Sequence, residues 1–231
     1  MNDFENIYGQ DLAIEILKSA ISKKHISPAY LFSGPQGVGR KKTAKIFIQT
    51  ILENNQGKKN TKRKIESNNH PDLLWIEPSY IVQGKSISQT KAKSESMSMK
   101  SLPQIRLNQI KEIIEFLAKK PFEGERSIVI IEDIERINES ASNALLKTLE
   151  ETNTGLFILI TQRPEKLLST ISSRCQIVPF TRLNDNTLNK IIQKLEVVQE
   201  IDNIPHNKII ELIEFSHGSP GRYLINLQYW L

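Results

Sequence analysis

Apolar residues in this chain follow two patterns, and the patterns alternate. Between Ile7 and Ile21, the residues Leu12, Ile16, Leu17, Ala20 and Ile21 recur at helical spacing. Tyr30-Leu31-Phe32 is a short continuous apolar run, as expected of a strand buried on both faces. It leads straight into Gly34-Pro35-Gln36-Gly37-Val38-Gly39, and Lys41 to Leu52 reads as the helix after that loop. Leu73 to Ile76 is a strand candidate. Ile105 to Leu117 is an amphipathic helix with Ile110, Ile113, Ile114 and Leu117 on one face. Ile128 to Ile131 and Leu156 to Ile160 are further buried strands, and Ile177 to Phe180 is a shorter one. Asn138 opens the helix between the first two. Its side chain can accept a backbone N–H, and Glu139 suits the positive end of the dipole. The buried face of this helix is Ala141, Ala144, Leu145, Thr148 and Leu149. Alternating strands and helices predict an α/β fold, a parallel sheet with helices on both faces.

Two stretches break the alternation. Glu53 to Asn69 is polar and reads as a loop or a frayed helix end. Ser79 to Pro103 carries seven serines with little periodicity, which predicts a flexible surface insertion over 79–104. After Phe180 only helical spacing remains: Leu188, Ile191, Ile192 and Leu195, then Ile209, Ile210, Leu212 and Ile213, then Tyr223, Leu224 and Leu227. The expected division is a core at 1–181 and a small all-helical lid domain at 182–231. Tyr229-Trp230-Leu231 ends on an unfinished apolar helix, so further chain is expected downstream.

Composition narrows the chemistry. A single cysteine, Cys175, excludes an intramolecular disulfide and a cysteine-based metal site. His25, His70, His206 and His217 have no metal-ligand spacing, so no metal is expected. No signal-peptide pattern opens the chain and no apolar run approaches membrane-spanning length, so a cytoplasmic protein without membrane contact is expected. The formal charge of +5 permits contact with nucleic acid. Lys58-Lys59, Lys62-Arg63-Lys64 and the lysines between 111 and 120 equally suit solvated faces.

Gly34 and Gly39 have the spacing of the phosphate-binding pattern G-x-x-x-x-G-K-[ST], but Arg40 stands at the lysine position and Lys41 at the hydroxyl position. Arg40 keeps a positive charge in a longer, planar group. Lys41 places a cation where magnesium belongs and offers it no lone pair. Lys42-Thr43 come two residues too late, about 200° around the helix. Backbone binding of phosphate by Gly37 to Lys41 and a purely structural strand-to-helix turn both remain open.

Glu132-Asp133 follow an apolar strand. They read either as an ATPase acid pair in inverted order or as solvated loop residues. Thr161 closes the next strand, where a polar side chain could sense a γ-phosphate. Arg174 can fork onto a phosphate. Gly218-Ser219-Pro220-Gly221-Arg222 reads as a helix start, with Ser219 capping.

Together these features resemble a family. Their order is a glycine loop, an acid-ended strand, the block Asn143-Ala144-Leu145-Leu146-Lys147-Thr148-Leu149-Glu150-Glu151, and then Ser173-Arg174-Cys175. This resembles the clamp-loader branch of the AAA+ ATPases. Tyr8-Gly9-Gln10, Ala29-Tyr30-Leu31-Phe32 and His70-Pro71-Asp72 fit the same branch. Within it the chain is most similar to the delta-prime type of bacterial DNA polymerase III subunit. The resemblance covers essentially the whole chain outside the serine-rich insertion.

It implies an AAA+ core with a lid and a subunit that does not hydrolyse ATP. Such a subunit completes a five-membered ring that opens a sliding clamp and places it on primed DNA. The implied partners are motor subunits and delta, the clamp indirectly, and primed DNA within the assembled complex. Arg174 is implied to be an arginine finger acting in trans, with no catalytic residue in cis. Gly34, Gly37, Gly39, Arg40, Lys41, Glu132, Asp133, Thr161 and Arg222 then form a degenerate nucleotide site, holding ATP or ADP weakly at most. Two departures stand out. The family's four-cysteine zinc module would fall within Glu53 to Asn69, which has no cysteine, so no zinc is expected. The chain also stops before the family's helical collar. The competing expectation is an active AAA+ motor subunit, which would need Mg²⁺-dependent hydrolysis despite Lys41.

Overall fold

The computed structural model describes residues 4–52, 58–99, 101–151, 155–194 and 205–230. Helix α1 (Asp11–Ser22) leads to strand β1 (Ala29–Ser33), the glycine loop and α2 (Arg40–Leu52). Then come α3 (Lys58–Glu66), β2 (Leu73–Ile76), β3 (Ser79–Val82), β4 (Lys85–Ser88), α4 (Gln89–Ser94) and α5 (Leu107–Leu117). The second half holds β5 (Ser127–Ile131), α6 (Glu139–Glu151), β6 (Gly155–Thr161), α7 (Ser169–Ser172) and β7 (Gln176–Pro179). Three helices follow: α8 (Asp185–Lys194), α9 (His206–Ser216) and α10 (Pro220–Trp230).

Five strands form a parallel sheet in the order β2-β5-β6-β1-β7. Alternate residues of each strand enter opposite layers, because successive side chains in a strand point to opposite faces. Tyr30, Phe32, Ile128, Ile130, Ile158 and Ile160 pack with Leu17, Phe47 and Ile48 on one side. Leu31, Val129, Ile131, Phe157 and Leu159 pack with Ile110, Ile113, Ala141 and Leu145 on the other. Both faces are covered, which is why the strands read as unbroken apolar runs. Each fully buried Leu, Ile or Phe contributes roughly 1.5–3 kcal/mol. Leu188, Leu212, Ile213, Tyr223 and Leu227 form a separate small core among α8, α9 and α10.

Several local expectations are corrected. The serine-rich segment opens as a folded hairpin rather than a flexible insertion. Gln83 and Gly84 both adopt positive φ, as a tight two-residue turn between β3 and β4 requires. Ser88 Oγ then caps α4 by accepting from Lys91 N at 3.2 Å. The hairpin base is tied to the core by backbone bonds between Ser79 and Gln104, at 2.9 and 3.0 Å. Part of the polar stretch after α2 is helix α3. Helix α1 starts at Asp11 rather than near Ile7, because Gly9 has φ 64° and Gln10 a non-helical backbone; the Gln10 side-chain amide bonds both Thr181 O (2.8 Å) and Thr181 N (2.9 Å). Leu12 lies 58 % exposed, and Ala13, Leu17 and Ala20 form the buried face. Asn138 caps α6 as expected, its Oδ1 accepting from Ala141 N at 2.9 Å. Leu195 and residues 53–57 lie outside the described residues.

The strand order places β1 between β6 and β7, strands that come late in the chain. The C-terminal ends of parallel strands at such a crossing are where open α/β sheets form their crevices. The glycine loop after β1, Glu132 and Asp133 after β5, and Thr161 at the end of β6 therefore converge there.

Candidate functional site

The glycine loop runs from Gly34 to Gly39, and Arg40 begins α2. Arg40 does not reach into the space above the loop. Its side chain is buried and donates from Nη1 to the backbone carbonyl of Thr161. Burial pulls this guanidinium down from its ordinary value, and the carboxylates of Asp133, Glu135 and Glu132 oppose that shift. Lys41 pairs with Glu132, which also accepts a hydrogen bond from Trp75 Nε1 at 2.7 Å. Asp133 adopts a left-handed backbone conformation, with φ 44°, and accepts from Gln162 Nε2 at 3.2 Å.

Thr161 is fully buried and aimed away from solvent. Its hydroxyl donates to Glu135 Oε2 at 2.9 Å and accepts from Arg163 N at 3.0 Å. Glu135 also accepts from Gln162 N at 3.3 Å. Sequence reasoning missed this buried acid, which lies in a one-turn 3₁₀ segment with no motif to flag it. Thr43 Oγ1 donates to Gly39 O at 3.0 Å, the ordinary helix back-bond, and Lys42 Nζ donates to Asn6 O at 3.0 Å. Neither replaces the missing lysine and hydroxyl. A magnesium–phosphate group does not suit this donor set, since Lys41 brings an ammonium against Glu132 and no oxygen.

Helix α10 closes onto the loop. Gly221 N donates to Gly37 O at 3.0 Å, and Ser219 Oγ donates to Gln36 O at 2.9 Å. Ser219 Oγ also caps the helix by accepting from Arg222 N at 3.2 Å. The two backbones touch: a Cβ on Gly221 would stand 2.8 Å from Gly37 Cα, and Gly37 itself has φ +77°. Both positions accept only glycine for that reason. Beside this contact lies a small cleft of about 150 Å³, lined by Ile7, Tyr8, Gly37, Val38, Ile191 and Pro220 among others. The structure thus gathers Gly34, Gly37, Gly39, Arg40, Lys41, Glu132, Asp133, Thr161 and the backbone of Arg222 at one end of the sheet.

Arg174 stands apart from them, just after α7. Its guanidinium donates to Thr170 O at 2.8 Å and pairs with Glu150 near the end of α6. The Arg174 side chain is 38 % exposed and that of Glu150 is 50 % exposed. Neighbouring Cys175 is half-buried, with Sγ bonded to Ile171 O and its thiol pushed up to about 12 by burial. It is an inert packing residue.

Residues 9–184 match the family described as DNA polymerase III, delta subunit. The chain belongs to that family. It is 31 % identical over 225 residues to the DNA polymerase III subunit delta' of Bacillus subtilis, covering 90 % of this chain and 60 % of that protein. It is 30 % identical over 195 residues to the tau subunit of the same organism, covering 82 % of this chain and 31 % of tau. This family member thus spans less than two thirds of the relatives it matches. Among solved structures, the Thermotoga maritima RuvB Holliday junction branch migration motor superposes with TM-score 0.54 at 16 % identity, covering 94 % of this chain and 59 % of RuvB. That likeness bears on the fold alone, the AAA+ arrangement of a parallel sheet followed by helices. No helix among the described residues is long and apolar enough to cross a membrane.

Proposed function

We propose that this chain is a non-hydrolysing subunit of a DNA polymerase III clamp loader. It completes a ring of subunits and lends Arg174 to ATP held by a neighbouring motor subunit. The ring then opens the sliding clamp and loads it on primed DNA during replication. Family membership and similarity to delta' and tau subunits support the assembly. One contrast carries the division of labour. Arg40 is buried against the protein's own Thr161 carbonyl and Lys41 is held by the buried carboxylate of Glu132, whereas Arg174 lies at the surface. Its one carboxylate partner among the described residues is exposed, and such a pair contributes about 0–1 kcal/mol, so a phosphate can displace it. A guanidinium docked on a neighbour's γ-phosphoryl oxygens stabilises the charge that develops during transfer and needs no proton transfer of its own.

Reconstitution with motor subunits, delta, clamp and primed DNA tests this. Arg174→Ala should leave assembly intact and cut turnover at the one ATP site it faces by about a thousandfold or more, the usual contribution of an arginine finger. Unchanged turnover in the assembled mutant would remove the finger from the proposal. The competing reading is an active motor subunit, to which the tau similarity lends weight. Phosphate release by the isolated protein separates the two. We expect none, and at most weak ATP or ADP binding that magnesium does not improve.

A further inference from the structure

Arg174 is held from two sides within its own subunit. Its guanidinium donates from Nη1 to Thr170 O at 2.8 Å and from Nη2 to Glu150 Oε1. The first contact comes from α7, one turn back. The second crosses to α6, 24 positions earlier in the chain. Helix α6 closes on Leu149-Glu150-Glu151, with no basic residue in its last turn. Carboxylates there stand at the negative end of the helix dipole and oppose it. A cation is therefore drawn to this spot, and Arg174 supplies it from just past α7. The fold does not need the pair, because both side chains are exposed and such a contact adds little to stability. Two glutamates set against a helix dipole are a local conflict in the sequence, and conflicts of this kind gather at functional sites.

From this we infer that Glu150 is a positioning residue for Arg174. It docks the guanidinium on the subunit's own surface and gives it up only to a group more negative than one carboxylate, the γ-phosphoryl of a neighbour's ATP. The inference rests on the reading of Arg174 as a finger in trans. The guanidinium then has two positions. Opposite ADP it stays on Glu150. Opposite ATP it moves, and the end of α6 is left without its cation. A ligand shifts such an equilibrium only by its difference in affinity for the two states. The loss at α6 therefore weakens the grip on an ATP-loaded neighbour, keeps the contact reversible, and draws the finger back once the γ-phosphoryl has gone.

The test measures the affinity of the full chain for a motor subunit loaded with a non-hydrolysable ATP analogue or with ADP. Glu150→Gln should tighten binding to the analogue-loaded neighbour by about two- to fivefold, the range set by an exposed pair. Binding to the ADP-loaded neighbour should not change. In an Arg174→Ala background the same substitution should have no effect, since the cycle isolates the pair. Glu151→Gln removes the adjacent charge, which has no ion pair with Arg174 among the described residues, and should leave both affinities as they are. In the free chain, ¹⁵N relaxation should show the Arg174 Nε–H ordered in the parent and mobile in Glu150→Gln, at an unchanged unfolding temperature. Unchanged or weaker binding to the analogue-loaded neighbour would overturn the docking role. So would an equal gain with ADP, a gain that survives Arg174→Ala, or equal order at Nε–H in parent and variant. A distinct result, analogue binding untouched by Arg174→Ala alone, would remove the finger itself and this inference with it.

Discussion

Arg40 is the residue on which the candidate site turns. In the pattern it occupies a lysine's place, yet its environment treats it as core. It bonds the Thr161 carbonyl and offsets the field of Asp133, Glu135 and Glu132. Arg40→Ala would leave those carboxylates without their buried counter-charge and the carbonyl without that donor. The expected loss is about 1–3 kcal/mol, typical of leaving a buried hydrogen-bonding group without its partner. A shift in the urea midpoint at unchanged m-value measures it. Arg40→Lys should recover only part, because a shorter point charge cannot reach the same carbonyl with a planar fork. A midpoint unchanged in Arg40→Ala would show that the buried guanidinium carries no stability. The sequence marked Arg40 and Lys41 as the wrong residues for magnesium chemistry. It did not indicate that Arg40 points into the sheet, since that direction depends on carboxylates more than ninety positions away.

At the scale of elements, the contact between the glycine loop and α10 decides how open the crevice is. Two glycines meet backbone to backbone, and Ser219 serves both as helix cap and as a donor to Gln36. Gly221→Ala would put a methyl group against Gly37 Cα, where no flexible side chain can yield. The lid helix should lift from the loop. Hydrogen exchange at the Gly221 amide should quicken by about tenfold or more as its bond to Gly37 is lost, while the β1 and β6 amides keep their protection. Equal protection in mutant and parent would show that the loop and lid do not depend on this packing. Sequence reasoning recognised Ser219 as a cap and Pro220 as a first-turn residue. It did not see the partner of that turn, because residues 36 and 219 are brought together only by the chain's return across the sheet.

At the scale of the whole molecule, pH sensitivity follows from a buried pair behind the sheet edge. His70 is buried and accepts from Asp72 N at 3.1 Å through Nδ1, which leaves Nε2–H to face Glu123 at 3.4 Å. Asp72 in turn accepts from the backbone of Phe122, Glu123 and Gly124 at 2.5, 2.7 and 2.6 Å, pinning the turn before β5. Burial holds His70 below its ordinary 6.5, with Glu123 and Asp72 pulling the other way. The unfolded chain therefore takes up this proton first as the pH falls. The contribution of the neutral ring is complete above 6.5 and drains away as the pH drops from there toward the lower folded value. Unfolding free energies measured at pH 7.5 and 5.5 should differ in the parent, and the His70-dependent part of that slope should vanish in His70→Gln. An identical slope in both would exclude the ring as its source.

The linear sequence by itself determined the alternating strands and helices, because continuous β-branched runs can be satisfied only between two covering layers. It also carried the family blocks, the missing lysine and hydroxyl of the phosphate loop, and the position of Arg174. These depend on residue type and local spacing, which short stretches of chain express directly. Where side chains point depended on tertiary structure. Folding turned Arg40 inward, set Lys41 on Glu132, buried Glu135 behind Thr161 and paired Arg174 with Glu150. Each arrangement joins residues far apart in the chain, and such neighbours exist only once the sheet and its covering helices have packed.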